Sequence, residues 1–388
     1  MKLMMVLSRV PFPLDKGDKL RAYHMLRYLS KYNEVYLFCI SEEAIAFDVK
    51  EHLLEYCKEI HVFPINRYAS LLKCGLSATS TKPFQTAYFY DAGIHHQIDE
   101  HAKRIKPVCA FFQLVRTTEY ARNIIGATRV IDYMDAFSTG YARMAAKSGA
   151  FQKALFNNES KRLKKYEADV FAWFDKHVII SEQDKELINH PDREKIEVIH
   201  NGVDAEYFVP SSNTKKFDLL FHGNMNYLPN VDCACYVADK ILPELHKRGK
   251  DATFLISGGS PNTRILSLAG RNGITVTGWL DDVRSSYAVS EIFIAPLQMG
   301  TGIQNKLLEA MAMGIPCVVS SLAAKALNLQ HGHHALIGDT AKDYCDHIET
   351  LWNNPQLNSQ LVKNALAYTR ENFRWQDKIE KLQQFISN

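Results

Sequence analysis

Short apolar segments alternate along the whole chain with longer amphipathic segments of helical periodicity. Strands separated by helices are typical of parallel sheets, because each parallel connection has to cross back over the sheet. The alternation therefore predicts an α/β protein. The first half contains the candidate strands 3–7, 35–40, 60–65, 109–114, 130–134, 177–180 and 196–199. The second half contains the candidates 218–222, 253–257, 274–277, 292–296, 317–320 and 335–338.

The chain is long enough for two domains. Its 388 residues exceed the size of one ordinary core, and the two series of strands are of similar length. The segment 204–216 separates them and contains the linker-like sequence Pro-Ser-Ser-Asn-Thr over 210–214. Two consecutive doubly wound, Rossmann-like units are the simplest architecture.

The most specific motif lies in the second half, over 300–319. It reads as a glycine-rich loop, a helix that Asn305 can cap, and a strand that follows Gly314 and a proline. Lys306 stands in the first turn of this helix, and Glu309 lies three residues later on the same face. Free helix amides and a lysine suit a phosphate, whereas a carboxylate suits a sugar diol. Phosphate beside a ribose describes a nucleotide.

The segment 309–316, together with Lys306, resembles the signature of retaining glycosyltransferases of family 4. The resemblance implies the GT-B fold, in which two Rossmann-like domains face each other across a cleft. It implies an acceptor-binding N-terminal domain over 1–205 that the C-terminal helix 370–388 completes. The region 206–369 then forms the domain that binds the nucleotide-sugar.

The first glutamate of the family motif is absent, because Thr301 occupies its position. We expect its role towards the donor sugar to pass to the Thr301 hydroxyl and to the backbone amides of Gly302, Ile303 and Gln304. The family also keeps an arginine and a lysine shortly after a glycine in the first strand-helix loop of this domain. This chain has Gly223 and Asn224 there without that pair.

The missing pair leaves Lys306 as the leading cation for the diphosphate. The competing interpretation is a surface salt bridge between Lys306 and Glu309. Further loops of the donor side carry Gly258 and, after the next strand, Trp279 and Leu280. In the family this last loop lies against the nucleobase, so Trp279 is expected to stack on it; packing within the protein is the alternative.

On the acceptor side, the loop after the first strand contains Lys16 and Gly17. The glycine allows an anion to approach the backbone and the lysine can neutralise it, although a charged turn before a helix is common. Asp132 and Asp135 end a later strand, where each can orient a sugar hydroxyl or cap the helix predicted over 136–145. The predicted catalytic residues are Lys306, Asp135 and Gly17, and the predicted acceptor contacts are Lys16 and Asp132.

No Asp-x-Asp triplet occurs in the chain, so we expect neither a metal-bridged diphosphate nor any other cofactor. The net charge of +3 is small and no nucleic-acid-binding module is recognisable, which argues against a nucleic-acid partner.

The resemblance implies a hexosyltransferase that moves a sugar from a UDP- or GDP-sugar to a saccharide or lipid-linked acceptor, with retention of configuration. Such a reaction belongs to bacterial cell-surface polysaccharide or glycoconjugate synthesis. A nucleotide-sugar epimerase and a catalytically silent sugar-nucleotide-binding scaffold remain open. Glu309 favours the transferase, whereas Thr301 in place of the motif glutamate favours the scaffold.

The 8 cysteines lie mostly in apolar segments, which is typical of reduced cytoplasmic thiols. The apolar segment at the N-terminus is as short as a strand, so we expect neither a signal peptide nor a membrane span. A basic cluster over 161–165, with apolar residues at 151–156, can rest on an anionic bilayer. The family resemblance implies that such a peripheral association is with the inner face of the membrane. The alternative is a long helix with one solvated charged face.

Overall fold

The computed structural model describes residues 1–42, 44–77, 80–146, 148–211, 213–299 and 303–388. Within these residues the chain forms two compact units. Unit 1 comprises Met1–His200 and Gln376–Asn388, and unit 2 comprises Asn201–Trp375.

Unit 1 is built on a sheet of seven parallel strands. The apolar residues of its central strands point to both faces and are buried on both, as helices on the two sides of a parallel sheet require. The strands are β1 (Lys2–Leu7), β2 (Glu34–Ser41), β3 (Glu59–Pro64), β4 (Cys109–Gln113), β5 (Thr128–Asp132), β6 (Lys176–Ile179) and β7 (Ile196–Val198). Their order in the sheet is β3-β2-β1-β4-β5-β6-β7.

The helices of unit 1 include the last helix of the chain, which returns to this unit. Its Lys381 ammonium pairs with Glu197 at 2.6 Å, and its Gln383 accepts a hydrogen bond from Asn33 at 2.6 Å. The helices are α1 (Gly17–Leu29), α2 (Phe47–Leu54), α3 (Arg67–Ser77), α4 (Phe84–Phe89), α5 (Ala92–Ile105), α6 (Phe137–Ala146), α7 (Ala150–Asp169), α8 (Glu182–Leu187) and, at the C-terminus, Trp375–Ser387. Short 3₁₀ turns cover Val115–Ala121, Val170–Trp173 and Arg193–Lys195.

Unit 2 has a second parallel sheet, of six strands. These are β8 (Phe217–His222), β9 (Phe254–Ser257), β10 (Ile274–Val276), β11 (Ser290–Ala295), β12 (Cys317–Val319) and β13 (Leu336–Ile337), in the order β10-β9-β8-β11-β12-β13. The helices are α9 (Leu228–Tyr236), α10 (Leu242–Lys247), α11 (Thr263–Leu266), α12 (Arg284–Ala288), α13 (Asn305–Ala312), α14 (Ser321–Ala326), α15 (Ala341–Asn353) and α16 (Pro355–Asn372), and a π turn over Val237–Ile241 joins α9 to α10. With these helices numbered, the C-terminal helix is α17.

The predicted fold class is confirmed, and each predicted strand is present with bounds that differ by two residues or fewer. Strand β5 ends earlier than predicted because Met134 adopts a positive φ of 63°, which an extended strand does not accommodate. In each sheet the strand order reverses once, between β1 and β4 and between β8 and β11. Ligands of open α/β sheets bind at the carboxyl ends of the strands beside such a reversal.

Candidate functional site

In unit 2, the loops that follow β8 and β9 touch through their glycines. Gly258 has a φ of +123°, and a Cβ placed on it would lie 1.9 Å from the carbonyl oxygen of Gly223. The Gly223 amide donates to the Ser257 carbonyl at 3.1 Å, which continues the sheet pairing into the loop. Only glycine at position 258 permits this approach. The structure thus places two predicted donor-binding glycines in direct backbone contact, with no side chain between them.

Lys306 points to the same loops from the first turn of α13. Its Nζ donates to Asn230 Oδ1 at 2.5 Å and lies 4.9 Å from the centre of the Phe221 ring. A Cβ on Gly223 would lie 3.0 Å from this Nζ. Burial lowers the pKa of Lys306 to about 8, because the ammonium has lost much of its hydration. An anion that enters the loop would supply a counter-charge to this partly desolvated ammonium.

Glu309 lies one turn further along α13 and is half-buried. Its Oε2 accepts a hydrogen bond from the Tyr287 hydroxyl at 2.8 Å, which leaves the second carboxylate oxygen for another donor. Burial raises the pKa of the Glu309 carboxyl. Lys306 and Glu309 do not pair with each other in the described part of the chain, since each has the neutral partner given above. The competing interpretation of a surface salt bridge is therefore not what the structure shows.

The start of α13 differs from the prediction. Asn305 is its first helical residue and not its cap; Gln304 holds the cap position, without a side-chain capping bond. The Asn305 Oδ1 instead accepts from Asn201 Nδ2 at 3.1 Å. The prediction that Asn305 caps the helix is therefore wrong. At the other end Gly314 adopts the predicted left-handed conformation, with a φ of +70°.

The predicted donor contacts around the α13 start are only partly described. Thr301 and Gly302 lie outside the residues that the structure describes. Ile303 is buried, and Gln304 is half-buried at the helix N-terminus. These two residues stand where the resemblance places backbone contacts to the donor.

Trp279 forms one wall beside the glycine loops. Its side chain is 55% exposed, and a Cβ on Gly259 would lie 3.0 Å from its Cε3 atom. The adjoining Leu280 is half-buried. On the other side, the Asn224 carbonyl accepts from Asn230 Nδ2 at 2.9 Å, so Asn230 joins the β8 loop to Lys306. The predicted residues Gly223, Asn224, Gly258 and Lys306 therefore form one connected cluster.

Three neighbouring residues belong to no recognised motif and were not predicted from the sequence as site residues. Asn230 holds the Lys306 ammonium, Tyr287 donates to Glu309, and His222 bonds Ser257 Oγ through Nδ1 at 3.0 Å. Burial, with the nearby Lys306 charge, lowers the pKa of His222 to about 3, so its imidazole is neutral. His222 could have been predicted, because it stands at the carboxyl end of β8, where ligands bind. Tyr287 precedes β11, and no sequence pattern indicates that it contributes to the site.

In unit 1, the loop after β1 leads into the N-terminus of α1. Gly17 is the first helical residue, and a Cβ on it would meet no atom within 4 Å. Lys16 is exposed, and no side chain caps the helix. Gly17 is thus not required by packing among the described residues, in contrast to Gly258.

Asp132 is buried in an ion pair with Arg21. Its side chain and that of Arg21 are 0% exposed, and Arg21 Nε donates to Asp132 Oδ2 at 2.6 Å. The second carboxylate oxygen accepts from the Met134 amide at 3.1 Å. An acceptor contact would break this buried ion pair at a cost of several kcal/mol. The expectation that Asp132 binds the acceptor is corrected accordingly: its carboxylate holds the loop after β5.

Asp135 is better placed for a ligand. It is half-buried, and its Oδ1 is shielded from solvent without a hydrogen-bond partner among the described residues. Burial, together with the neighbouring Asp184 and Glu167 carboxylates, raises its pKa to about 7. The capping alternative is not observed, because Glu167 Oε1 accepts from the Ser138 amide in the first turn of α6 at 3.0 Å.

Glu59, His61 and His101 form a cluster whose ligand-type atoms all lie within 4.8 Å of one another. The sequence prediction missed this group, because its members come from β3 and α5. Both carboxylate oxygens of Glu59 already accept from Arg104, at 2.9 and 2.5 Å. The arrangement is explained as an ion-pair network at the surface of unit 1.

Part of the chain matches a known family model. Residues 216–354, within unit 2, match the family model described as glycosyl transferases group 1. An uncharacterized 44.6 kDa protein in the cps region of Klebsiella pneumoniae is 24% identical, with 96% of both chains covered. The UDP-Gal:alpha-D-GlcNAc-diphosphoundecaprenol alpha-1,3-galactosyltransferase of Escherichia coli is 25% identical over 37% of this chain and 42% of its own.

Among solved structures, HepE from Anabaena in complex with UDP superposes with a TM-score of 0.69. It is 13% identical, and the alignment covers 100% of both chains. This likeness shows the GT-B fold. The matched domain and the fold together support a GT-B glycosyltransferase.

Proposed function

We propose that this chain is a retaining glycosyltransferase of family 4. It moves a hexose from a nucleotide-sugar to a saccharide or lipid-linked acceptor in cell-surface polysaccharide synthesis. The observation that carries the proposal is the position of the Lys306 ammonium against the Gly223 loop, with the Glu309 carboxylate one turn further along the same helix. The Lys306 ammonium beside the glycine backbone suits a diphosphate. The Glu309 carboxylate, which has one oxygen left to accept a hydrogen bond, suits the ribose next to it.

In this proposal the diphosphate lies on the glycine loops and pairs with Lys306. The second carboxylate oxygen of Glu309 accepts a hydrogen bond from a ribose hydroxyl, and the base stacks on the exposed face of Trp279. UDP is the favoured nucleotide, because HepE was solved with UDP and the Escherichia coli relative uses UDP-Gal.

The reaction needs no nucleophile from the protein. The bond between the sugar and the diphosphate breaks first, through an oxocarbenium-like state, and the acceptor hydroxyl attacks from the face that the diphosphate leaves. The acceptor proton passes to the departing diphosphate oxygen. Lys306 stabilises the negative charge that grows on that diphosphate, and the rest of the catalysis is positioning. Asp135 and the open backbone at Gly17 serve the acceptor in unit 1.

The experiment that tests this proposal is slow release of nucleotide from UDP- and GDP-sugars in the absence of acceptor. A transferase is expected to release nucleotide and free sugar, and the Lys306→Met variant to lose this activity. Conversion of the sugar to its epimer without release of nucleotide would establish the epimerase instead. Nucleotide binding without either reaction would establish the scaffold.

We further propose that unit 1 rests on an anionic membrane through helix α3. Its side chains Tyr68, Leu71, Leu72 and Leu76 are 83%, 53%, 66% and 70% exposed, an apolar stripe at helical spacing. The end of α3 adjoins the basic cluster of α7, since Arg162 Nη1 donates to the Ser77 carbonyl at 3.0 Å. Apolar side chains beside exposed lysines suit an anionic bilayer surface. Among the described residues, no helix combines the length and apolar character needed to cross a membrane.

Co-sedimentation with phosphatidylglycerol vesicles tests this surface. Replacement of Leu71, Leu72 and Leu76 by serine should lower the bound fraction, with an affinity loss of about tenfold or more from the lost apolar burial. Ile125→Ser is the matched control, because Ile125 is 94% exposed and lies outside α3. Replacement of Lys161, Arg162, Lys164 and Lys165 by neutral residues should remove the salt-sensitive part of vesicle binding. Equal binding of all these variants and the wild type would exclude the proposed membrane surface.

A further inference from the structure

Arg116 stands directly after the carboxyl end of β4, in the 3₁₀ turn Val115–Ala121. Strand β4 lies beside β1, where the strand order of the unit 1 sheet reverses. The guanidinium is therefore at the edge of the sheet, and at the reversal, where open α/β folds bind ligands. The residue was not among the sequence-predicted site residues.

The position of the guanidinium is fixed by neutral groups. Its carbon lies 5.1 Å from the centre of the Phe89 ring and 5.2 Å from that of Phe137. Its Nε donates to Gln85 Oε1 at 2.8 Å, and Gln85 Nε2 in turn donates to the Tyr141 hydroxyl at 2.9 Å. Two rings and an amide hold the planar group in one orientation without neutralising it.

No carboxylate of the described residues pairs with Arg116, and its Nη1 is buried without a hydrogen-bond partner. The Asp18 carboxylate belongs to the same neighbourhood but is engaged by Arg9. Desolvation lowers the pKa of Arg116 to about 10, and Arg9 adds to the effect, so the guanidinium is still charged at neutral pH. Arg116 is half-buried, and a charge that is shielded from water without a counter-charge is costly; an anionic ligand would supply that counter-charge.

Asp135 does not fill this role. It is close enough to interact with Arg116 electrostatically, but the two form no ion pair, and one Asp135 oxygen has no hydrogen-bond partner either. Burial and two further carboxylates raise the pKa of Asp135 to about 7, so it carries only part of a negative charge at neutral pH. The carboxyl ends of the unit 1 strands thus hold a guanidinium without a counter-charge and a carboxylate oxygen without a hydrogen-bond partner among the described residues.

We propose that Arg116 anchors an acidic group on the acceptor, so that the acceptor is an anionic saccharide and not a neutral one. The inference rests on the proposed function, in which unit 1 receives the acceptor. The forked guanidinium binds a carboxylate or phosphate oxygen pair through parallel hydrogen bonds. The neighbouring Asp135 Oδ1 accepts a hydrogen bond from a hydroxyl of the same sugar. The acidic group is either a sugar carboxylate or a phosphate ester.

The test is binding of monosaccharide probes to the full chain without nucleotide, measured by NMR titration. The probes are methyl glucoside, methyl glucuronide and glucose 1-phosphate, which share a ring and differ in charge. We expect wild type to bind at least one acidic probe about tenfold or more tightly than methyl glucoside, as a charge-assisted contact provides. Arg116→Met should abolish this preference, and Arg116→Lys should restore it in part, because the charge returns without the fork.

Arg193→Met is the matched control, since Arg193 precedes β7 and so lies at the opposite edge of the same sheet. It should leave the preference unchanged. Equal affinity for all probes, no binding of either acidic probe, or an unchanged preference in folded Arg116→Met would each overturn the proposal. If the binding of glucose 1-phosphate is lost in Lys306→Met and kept in Arg116→Met, the probe binds in unit 2. This result would contradict a phosphate ester as the acidic group that Arg116 binds. Because no transfer is measured, a failure of the proposed reaction does not affect these outcomes.

Discussion

The carboxyl ends of the strands, where ligands of such sheets bind, are built differently in the two units; each is called the ligand edge of its unit. In unit 2 the edge consists of backbone in close contact, where Gly258 fits only as glycine and Lys306 approaches Gly223. In unit 1 the corresponding glycine, Gly17, has open space around it, and the edge consists of half-buried charged side chains. Backbone cradles suit a diphosphate that many enzymes share, whereas side-chain clusters suit one particular acceptor.

The largest difference should be in stability. Gly258→Ala forces a Cβ into the Gly223 carbonyl at a positive φ, so we expect the free energy of unfolding to fall by about 3 kcal/mol or more. Gly17→Ala should change it by about 0.5 kcal/mol or less. Urea unfolding followed by fluorescence measures both. Similar losses for the two variants would show that the edges are not built differently.

The second effect concerns turnover. Lys306→Met should lower kcat by about a hundredfold and donor affinity by less, because the charge on the diphosphate grows in the transition state. Lys325→Met, at an exposed position of unit 2, is the control. With a lowered pKa of about 8, Lys306 loses its proton as the pH rises through that value, so kcat/KM should fall above pH 8. A pH profile that is flat in this range would remove Lys306 from the chemistry.

Glu309→Gln should weaken nucleotide binding by about 1.5–3 kcal/mol, the range of a charge-assisted hydrogen bond. The variant keeps the volume and an acceptor for the Tyr287 hydroxyl, so folding should survive. Calorimetric titration with UDP gives the affinity, and Tyr287→Phe tests how far the carboxylate depends on its positioning partner. Unchanged affinity in a folded Glu309→Gln protein contradicts the ribose contact.

A smaller effect is expected in unit 1. The raised pKa of Asp135 means that the folded state binds its proton more tightly than the unfolded state. Stability from this group is present at acidic pH and is lost as the pH rises towards and through 7. Asp135→Asn should therefore gain stability relative to wild type as the pH rises, and the gain should be larger at pH 8 than at pH 5. Denaturation midpoints at pH 5 and pH 8 provide the check; a gain that is equal at both values argues against the buried charge.

The smallest expected effect is that of a chelator. Lys306 and the helix N-terminus take the role of a metal in the proposed diphosphate site, so nucleotide release should persist in excess EDTA. Activity that disappears with EDTA and returns with Mg²⁺ or Mn²⁺ would contradict this account of unit 2.

The same contrast explains what could be predicted from the sequence. The strands of both units and the cluster of Gly223, Gly258 and Lys306 follow from local patterns, because glycine spacing and strand ends are written in consecutive residues. Asp132 was misjudged because its partner, Arg21, is 111 positions away. Arg116 was missed for a related reason: its neighbours come from several elements, and its distinguishing property is that no carboxylate of the described residues pairs with it.

The most direct test of the central claim compares UDP and GDP with uridine and guanosine by calorimetric titration of wild type and Lys306→Met. If the unit 2 edge is a diphosphate site, at least one nucleotide should bind wild type about tenfold or more tightly than its nucleoside. Lys306→Met should lose most of this difference and keep the nucleoside affinity. Equal binding of nucleotide and nucleoside by wild type, or an undiminished difference in Lys306→Met, would contradict the account.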